Sequence, residues 1–89
     1  MDAIRLSADD NVATLLRAVA KGEKVRVGAA LEVEAVEAIA LCHKIALVDL
    51  QPGDRILKYG DPIGEATQSI KAGAHVHVHN LRSLRARSS

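Results

Sequence analysis

Three imidazoles at alternate positions, in His75-Val76-His77-Val78-His79-Asn80, are the side chains of this sequence best suited to chemistry. Alternate residues of an extended strand point to one side, so the spacing predicts three histidines on one face and both valines on the other. Residues two apart stand about 6.5–7 Å from each other, close enough for two imidazoles to swing onto one metal ion or one anionic substrate. Three in a row span too far to converge, which limits a shared ligand to two of them. A strand face that is solvated, or that meets a partner, is the plain alternative. Upstream, His43 stands beside Lys44, a titratable imidazole next to a fixed cation, and this pair suits a carboxylate. Strand alternation sends the two to opposite faces, so one of them is expected to face the site. Lys58-Tyr59-Gly60-Asp61-Pro62 ends a strand and enters a turn, the kind of edge where functional groups gather. The Tyr59 hydroxyl is a candidate donor to substrate, or a rim group on a core-filling ring.

The elements that carry these residues share a repeated pattern. Val19-Ala-Lys-Gly-Glu-Lys-Val25, Ile39-Ala-Leu-Cys-His-Lys-Ile45, Leu50-Gln-Pro-Gly-Asp-Arg-Ile56 and Ile70-Lys-Ala-Gly-Ala-His-Val76 are each apolar at both ends with a turn residue in the middle. Glycine in the central slot suits a positive φ, and Pro52 before Gly53 matches a type II turn. Each copy therefore predicts a tight turn launching a short strand: Lys24 to Gly28, Lys44 to Val48, Arg55 to Tyr59 and Ala74 to Asn80, with an opening strand over Ala3 to Leu6. Many short strands between Gly/Pro turns predict a compact β-barrel or folded sheet. Val12, Leu15, Leu16 and Val19 follow helical spacing behind the cap candidates Ser7, Asp9 and Asp10, with Gly22 to stop the run, so one short helix is expected there. Ala29 to Ala40 is ambiguous between strand and helix, and Leu31-Glu-Val-Glu34 tilts it to strand.

Composition narrows the possibilities. At 89 residues the chain makes one small domain, and with Tyr59 its sole aromatic the core must be built from Ile, Leu, Val and Ala, which favours help from a partner or ligand. A net charge of +1 and the absence of stacking aromatics argue against nucleic acid. No apolar run approaches a membrane span and no signal pattern opens the sequence, so a soluble, cytoplasmic protein is expected. Cys42, the single cysteine, excludes an internal disulfide and reads as structural. Unpaired edge strands leave a homodimer open for the isolated chain.

His43-Lys-Ile-Ala-Leu47, Lys58-Tyr-Gly-Asp-Pro-Ile-Gly64, Ile70-Lys-Ala-Gly73 and His77-Val-His-Asn80, in this order and spacing, resemble the small SAF-type domain of the altronate and galactarate dehydratase family over about residues 3–81. The resemblance implies a mainly β fold, a SAF-type β-clip barrel over 1–81 with one short helix; the polar and basic composition of 82–89 predicts a flexible tail or, alternatively, a docking arm. In that family the domain is fused in front of a large catalytic domain or made as a separate small subunit. This sequence stops where the linker would begin, so the separate form is expected, inactive alone and partnered by a large catalytic lyase subunit. The implied activity is a hydro-lyase acting on a sugar acid of the altronate or galactarate type. The small subunit of a sulfolactate sulfo-lyase, a stand-alone sugar-acid-binding module and a structural adaptor that gates a partner's pocket are the alternatives.

Elimination β to a carboxylate needs a base for the α-proton, an electrophile for the enediolate and an acid for the departing hydroxyl. Carried over residue by residue, the resemblance implies His43, His77 and His79 as catalytic groups and Lys44, Lys58, Tyr59 and Asn80 as substrate contacts. His77 and His79 are also the candidate metal ligands, and His75 reads as a surface residue. The implied cofactor is a divalent metal, iron(II), held mainly by the large subunit. One position departs from the family pattern: Cys42 stands where the family has glycine, and a Cβ at a positive φ costs about 1 kcal/mol or more.

Overall fold

The computed structural model describes residues 1–29 and 31–84. Among the described residues nine short strands run in chain order: β1 (Ala3–Ile4), β2 (Val12–Leu15), β3 (Lys24–Val27), β4 (Leu31–Glu34), β5 (Lys44–Ala46), β6 (Arg55–Lys58), β7 (Asp61–Ala66), β8 (His75–Val76) and β9 (Leu81–Ser83). They form a curled sheet of order β4-β3-β1-β2-β5-β8 and a second of order β6-β7-β9. All pairings are antiparallel except β1 with β3. This is the mainly β architecture expected of a SAF β-clip. Among the described residues no helix is long and apolar enough to cross a membrane.

The four sequence copies become four copies of one turn. The central residue of each has a positive φ: 89° at Gly22, 70° at Cys42, 90° at Gly53 and 90° at Gly73. Its N–H donates across the molecule, to the carbonyls of Ala35, Leu15, Ala66 and Ala46 respectively. The next N–H closes the turn locally, from Glu23 to Ala20, His43 to Ala40, Asp54 to Gln51 and Ala74 to Lys71. The leading apolar residues meet in pairs, Val19 with Ile39 and Leu50 with Ile70. Two aliphatic cores result. One gathers Leu15, Val19, Val25, Ile39 and Ile45, and the other Val12, Leu50, Ile56, Ile70 and Val76.

The expected helix over Val12 to Val19 is not formed; Val12–Leu15 is instead a central strand between β1 and β5. Its burial on both faces explains the misleading pattern. Val12 enters the second core while Ala13 and Leu15 enter the first, so apolar residues occur on both sides and imitate helical spacing. The supposed cap residues serve tertiary bonds. Asp10 is buried, and its carboxylate accepts from the Tyr59 and Gly60 N–H groups, both at 2.7 Å. These two residues, φ 55° and 80°, are the tight turn of the β6–β7 hairpin. Burial pushes the Asp10 carboxyl up, but the backbone donors Gly60, Tyr59, Ser7 and Leu6 outweigh it and hold the group below the usual carboxylate range. The Asn11 amide donates to the Arg55 carbonyl and accepts from the Leu57 N–H, both at 2.8 Å, tying β2 to the second sheet.

The ambiguous stretch does hold a strand, β4. Arg82 and Ser83, expected in the tail, belong to β9, where Arg82 is paired with Glu65 in register and by an ion pair. The rest of the expected tail, 85–89, lies outside the described residues.

Candidate active site

The strand expected over Ala74 to Asn80 ends at Val76, and the chain then turns, with the Asn80 N–H donating to the His77 carbonyl at 3.0 Å. Val76 is buried as expected of the inward face, but Val78 at the turn is 77% exposed. Asn80 makes this turn. It is buried; its side-chain oxygen accepts from the His77 N–H at 3.0 Å and its amide donates to the His75 carbonyl at 2.8 Å. The amide of Asn80, expected to contact substrate, is bonded to the backbone that carries two of the histidines.

Antiparallel pairing of β8 with β5 sets Ile45 opposite His75 and Lys44 opposite Val76. That register brings His43, at the mouth of the second turn, against the histidine loop. Its Nδ1 lies 2.7 Å from His75 Nε2, a hydrogen bond in which one ring donates and the other accepts. Ring centroids are 4.9 Å apart for His43 and His75, 4.7 Å for His43 and His77, 5.4 Å for His75 and His77, and 5.2 Å for His75 and His79. His75, read from the sequence as a surface residue, is therefore the hub that touches the other three.

The group that could hold a metal ion joins His77 with His43 and His75. Ligand atoms of His43, His75 and His77 all lie within 4.8 Å of one another, and His79 is outside that set. Three imidazoles converge because one comes from a different strand, a possibility that spacing along a single strand cannot express.

Burial and neighbouring charges hold two of these imidazoles below their ordinary value. Burial, then repulsion from His43, His79 and His77, holds His75 below the ordinary imidazole value, with Glu37 pulling weakly the other way. His77 is held down by desolvation and by the charges of His43, Lys44 and His79. Lys44 opposes both Thr14 and Val76 in register and so lies on the opposite face from Ile45 and His75, as alternation predicts. It is half-buried, and burial together with the nearby Lys58 charge holds its ammonium below the usual lysine range. Lys58 Nζ in turn lies 5.1 Å from the centre of the Tyr59 ring. Tyr59 is 43% exposed and does not fill the core; with Lys58, Asp61, Pro62 and Ile63 it lines an open cleft. Lys44 is thus close enough to Lys58 to feel its charge and to His77 to hold that imidazole down, while Lys58 and Tyr59 lead to the open cleft.

Cys42 adopts the left-handed conformation of the glycines in the other three turns, φ 70°. The turn that presents His43 and Lys44 keeps its hydrogen bonds and carries the strain. Two features escaped the sequence reading, the role of His75 and that of Asp10. Alternation alone places His75 with its neighbours, whereas the bond from Asp10 to the Tyr59 turn leaves no local signal.

Residues 1–84 match the family profile of the altronate/galactarate dehydratase SAF domain. The chain is 43% identical over 81 residues to altronate dehydratase of Bacillus subtilis (strain 168), covering 90% of this chain and 16% of that protein. Altronate dehydratase of Escherichia coli (strain K12) is likewise 43% identical over 83 residues, 93% of this chain and 17% of the relative. The (2R)-sulfolactate sulfo-lyase subunit alpha of Chromohalobacter salexigens is 44% identical over 55 residues, 62% of this chain and 58% of the subunit. The matched region is thus a small part of the two dehydratases and somewhat over half of the sulfo-lyase subunit.

Proposed function

Because the chain belongs to the altronate/galactarate dehydratase SAF-domain family, we propose that it is the small, histidine-bearing part of a lyase that removes water from a sugar acid or related hydroxy acid, at a site completed by a large catalytic subunit. The observation that carries this reading is the cluster of His43, His75 and His77, with ring centroids 4.9, 4.7 and 5.4 Å apart, near two lysines whose like charges oppose each other. Lys44 and Lys58 bind the substrate carboxylate, which relieves their mutual repulsion and draws electrons from the α-carbon. The imidazole of His77, held below its ordinary value, or that of its neighbour His43 takes the α-proton, and His79 returns a proton to the leaving hydroxyl. Water departs and the enol that remains tautomerises to a keto acid. The Tyr59 hydroxyl donates to a substrate oxygen at the open cleft. A divalent metal, iron(II), held mainly by the large subunit, would supply Lewis acidity when bound.

The test is reconstitution. The tagged chain is used to capture its partner from native cells, and the complex is assayed for dehydration of a panel of hydroxy acids. We expect a lyase-like large subunit, and we expect His77→Ala to lower kcat by about 100-fold or more, in the range of a lost general base. Lys44→Ala should raise KM more than it lowers kcat. A large subunit fully active without this chain would remove the catalytic role.

A second reading has its own support: the chain covers 58% of a sulfo-lyase alpha subunit but only 16% of an altronate dehydratase. Release of sulfite from sulfolactate breaks a bond at the same position relative to the carboxylate. Including sulfolactate in the panel decides between the two, and binding of a sugar acid by the chain alone, without turnover in any complex, would identify a binding module.

A further inference from the structure

The geometry points to a transition-metal site made by this chain alone: we infer that His43, His75 and His77 together bind one divalent ion of the zinc class, with a coordination position left open. This ion is distinct from the metal assigned above to the large subunit and does not rest on the lyase reading; the base role given above to His77 or His43 belongs to the chain without this ion, because a coordinated imidazole has no lone pair for a proton.

The argument starts from donor type. All three ligands are imidazoles, a set that suits zinc, copper, nickel and iron and that disfavours calcium or magnesium, which prefer oxygen. Three histidines with a vacant fourth position is also the ligand number of a catalytic rather than a structural zinc centre. Distance comes next. Nitrogens bound at about 2.0–2.1 Å to one tetrahedral ion stand about 3.4 Å apart, whereas the three ligand atoms here lie within 4.8 Å of one another and the closest pair is at 2.7 Å. Ring rotations of well under one bond length per atom bring them onto a common centre. Among the described residues the hydrogen bond between His43 and His75 is the one bond to a ring nitrogen of the three, so an ion displaces little.

The supports are fixed although the rings are not. Buried Asn80 bonds the backbone on both sides of Val76, at the His75 carbonyl and the His77 N–H. The His75 N–H donates to Glu37. His43 is held by its own turn and by the Leu15 N–H on its carbonyl at 2.9 Å. Three ligands on a backbone pinned from two strands form a preorganised site, unlike a run of histidines on a free segment. His79 touches the ring of His75 but lies outside the converging set.

The experiment uses the whole 89-residue chain, carrying no histidine tag and stripped with a chelator. Zn²⁺ is titrated by calorimetry, and Co²⁺ by visible absorption, which reports coordination number. We expect one ion per chain at micromolar affinity or tighter, with the intense cobalt spectrum of a four- or five-coordinate site. His43→Ala, His75→Ala and His77→Ala should each weaken binding by about tenfold or more, and His79→Ala should change it little. Thermal melts verify that each variant folds. Should His75→Ala fail to fold, His43→Ala decides, because that side chain sits at the mouth of a turn outside the core. Absence of saturable binding below the millimolar range overturns the inference. So does binding that survives His43→Ala but falls with His79→Ala, the mark of loose chelation by the loop alone. A chain that binds zinc but supports no lyase would sink the proposed function and leave this site standing; an active complex whose small subunit binds neither ion would do the reverse.

Discussion

Two stretches of this molecule, around the β3–β4 and the β6–β7 hairpins, repeat one order of turn, hairpin, turn and strand with very different side chains. In the first, β3 and β4 pair Lys24 with Glu34 and Val25 with Val33; in the second, β6 and β7 pair Arg55 with Glu65 and Ile56 with Gly64. Each hairpin lies between two copies of the same turn, and the second turn of each stretch launches β5 or β8. Those two equivalent strands then lie against each other. The difference is in what they carry. Where one stretch has Cys42, His43 and Lys44, the other has Gly73, Ala74 and His75. The repeated backbone supplies a rigid frame, and the candidate chemistry arises only where the two stretches meet and cease to match. Neither contains the histidine cluster by itself: His43 and Lys44 come from one, His75 and His77 from the other.

The largest expected effect breaks the equivalence of the four turns. All four central residues have a positive φ, but a Cβ at Gly22 or Gly53 would meet nothing within 4 Å, while one at Gly73 would fall 1.9 Å from the Glu34 carbonyl oxygen. Alanine at Gly22 or Gly53 should cost about 1–2 kcal/mol, the left-handed penalty alone. Gly73→Ala adds a collision with main chain, in the segment that also receives the Val36 N–H on the Gly73 carbonyl at 3.0 Å. Its cost should be about 3 kcal/mol or more, enough to threaten folding of so small a domain. Urea unfolding of the three variants checks this; equal losses would mean that backbone conformation, and not close approach, governs all the turns.

A second prediction separates the two hairpins. The β6–β7 turn is clamped by buried Asp10, whereas among the described residues no side-chain carboxylate holds the β3–β4 turn at Gly28. Asp10→Asn presents an amide to N–H groups that need an acceptor, and should cost about 2 kcal/mol. The sign with pH follows from the depressed carboxyl. The stabilisation is complete above the ordinary aspartate value of about 3.9 and is lost as pH falls through the lower folded-state value. The gap in stability between wild type and Asp10→Asn should therefore be full at neutral pH and close in acid. A gap that stays constant into acid would show that the carboxylate charge is not what holds the turn.

These cases also show which parts of the fold were legible in the sequence. The four turns were visible because glycine and proline encode backbone conformation locally, and each turn launches the strand read for it. β2 was not, because a strand buried on both faces loses its alternation, and because Asp10 and Asn11 look like helix caps until their partners at Tyr59, Gly60, Arg55 and Leu57 are known. The histidine strand was read correctly only as far as Val76. Beyond it the turn is set by Asn80, whose side chain looked like a ligand donor and is a backbone clamp. His43 was singled out by type, but its meeting with His75 depends on the β5–β8 register, which no local pattern specifies.

The smallest effect sharpens the comparison at its most specific point. Cys42 is the one non-glycine among the four central turn residues, with φ 70°. Cys42→Gly removes a left-handed penalty of about 1–2 kcal/mol, but it also releases backbone freedom in the unfolded chain that costs about 0.5–1 kcal/mol. The net gain should be under about 1 kcal/mol, read as a modest rise in the urea midpoint with an unchanged slope. The thiol is exposed and bonded to nothing in the described structure, so no lost contact offsets the gain. If Cys42→Gly instead destabilises the chain, the cysteine side chain contributes packing at the rim of the histidine cluster that exceeds the strain it imposes. The second turn would then be fitted to the groups it presents and not a tolerated departure from the other three.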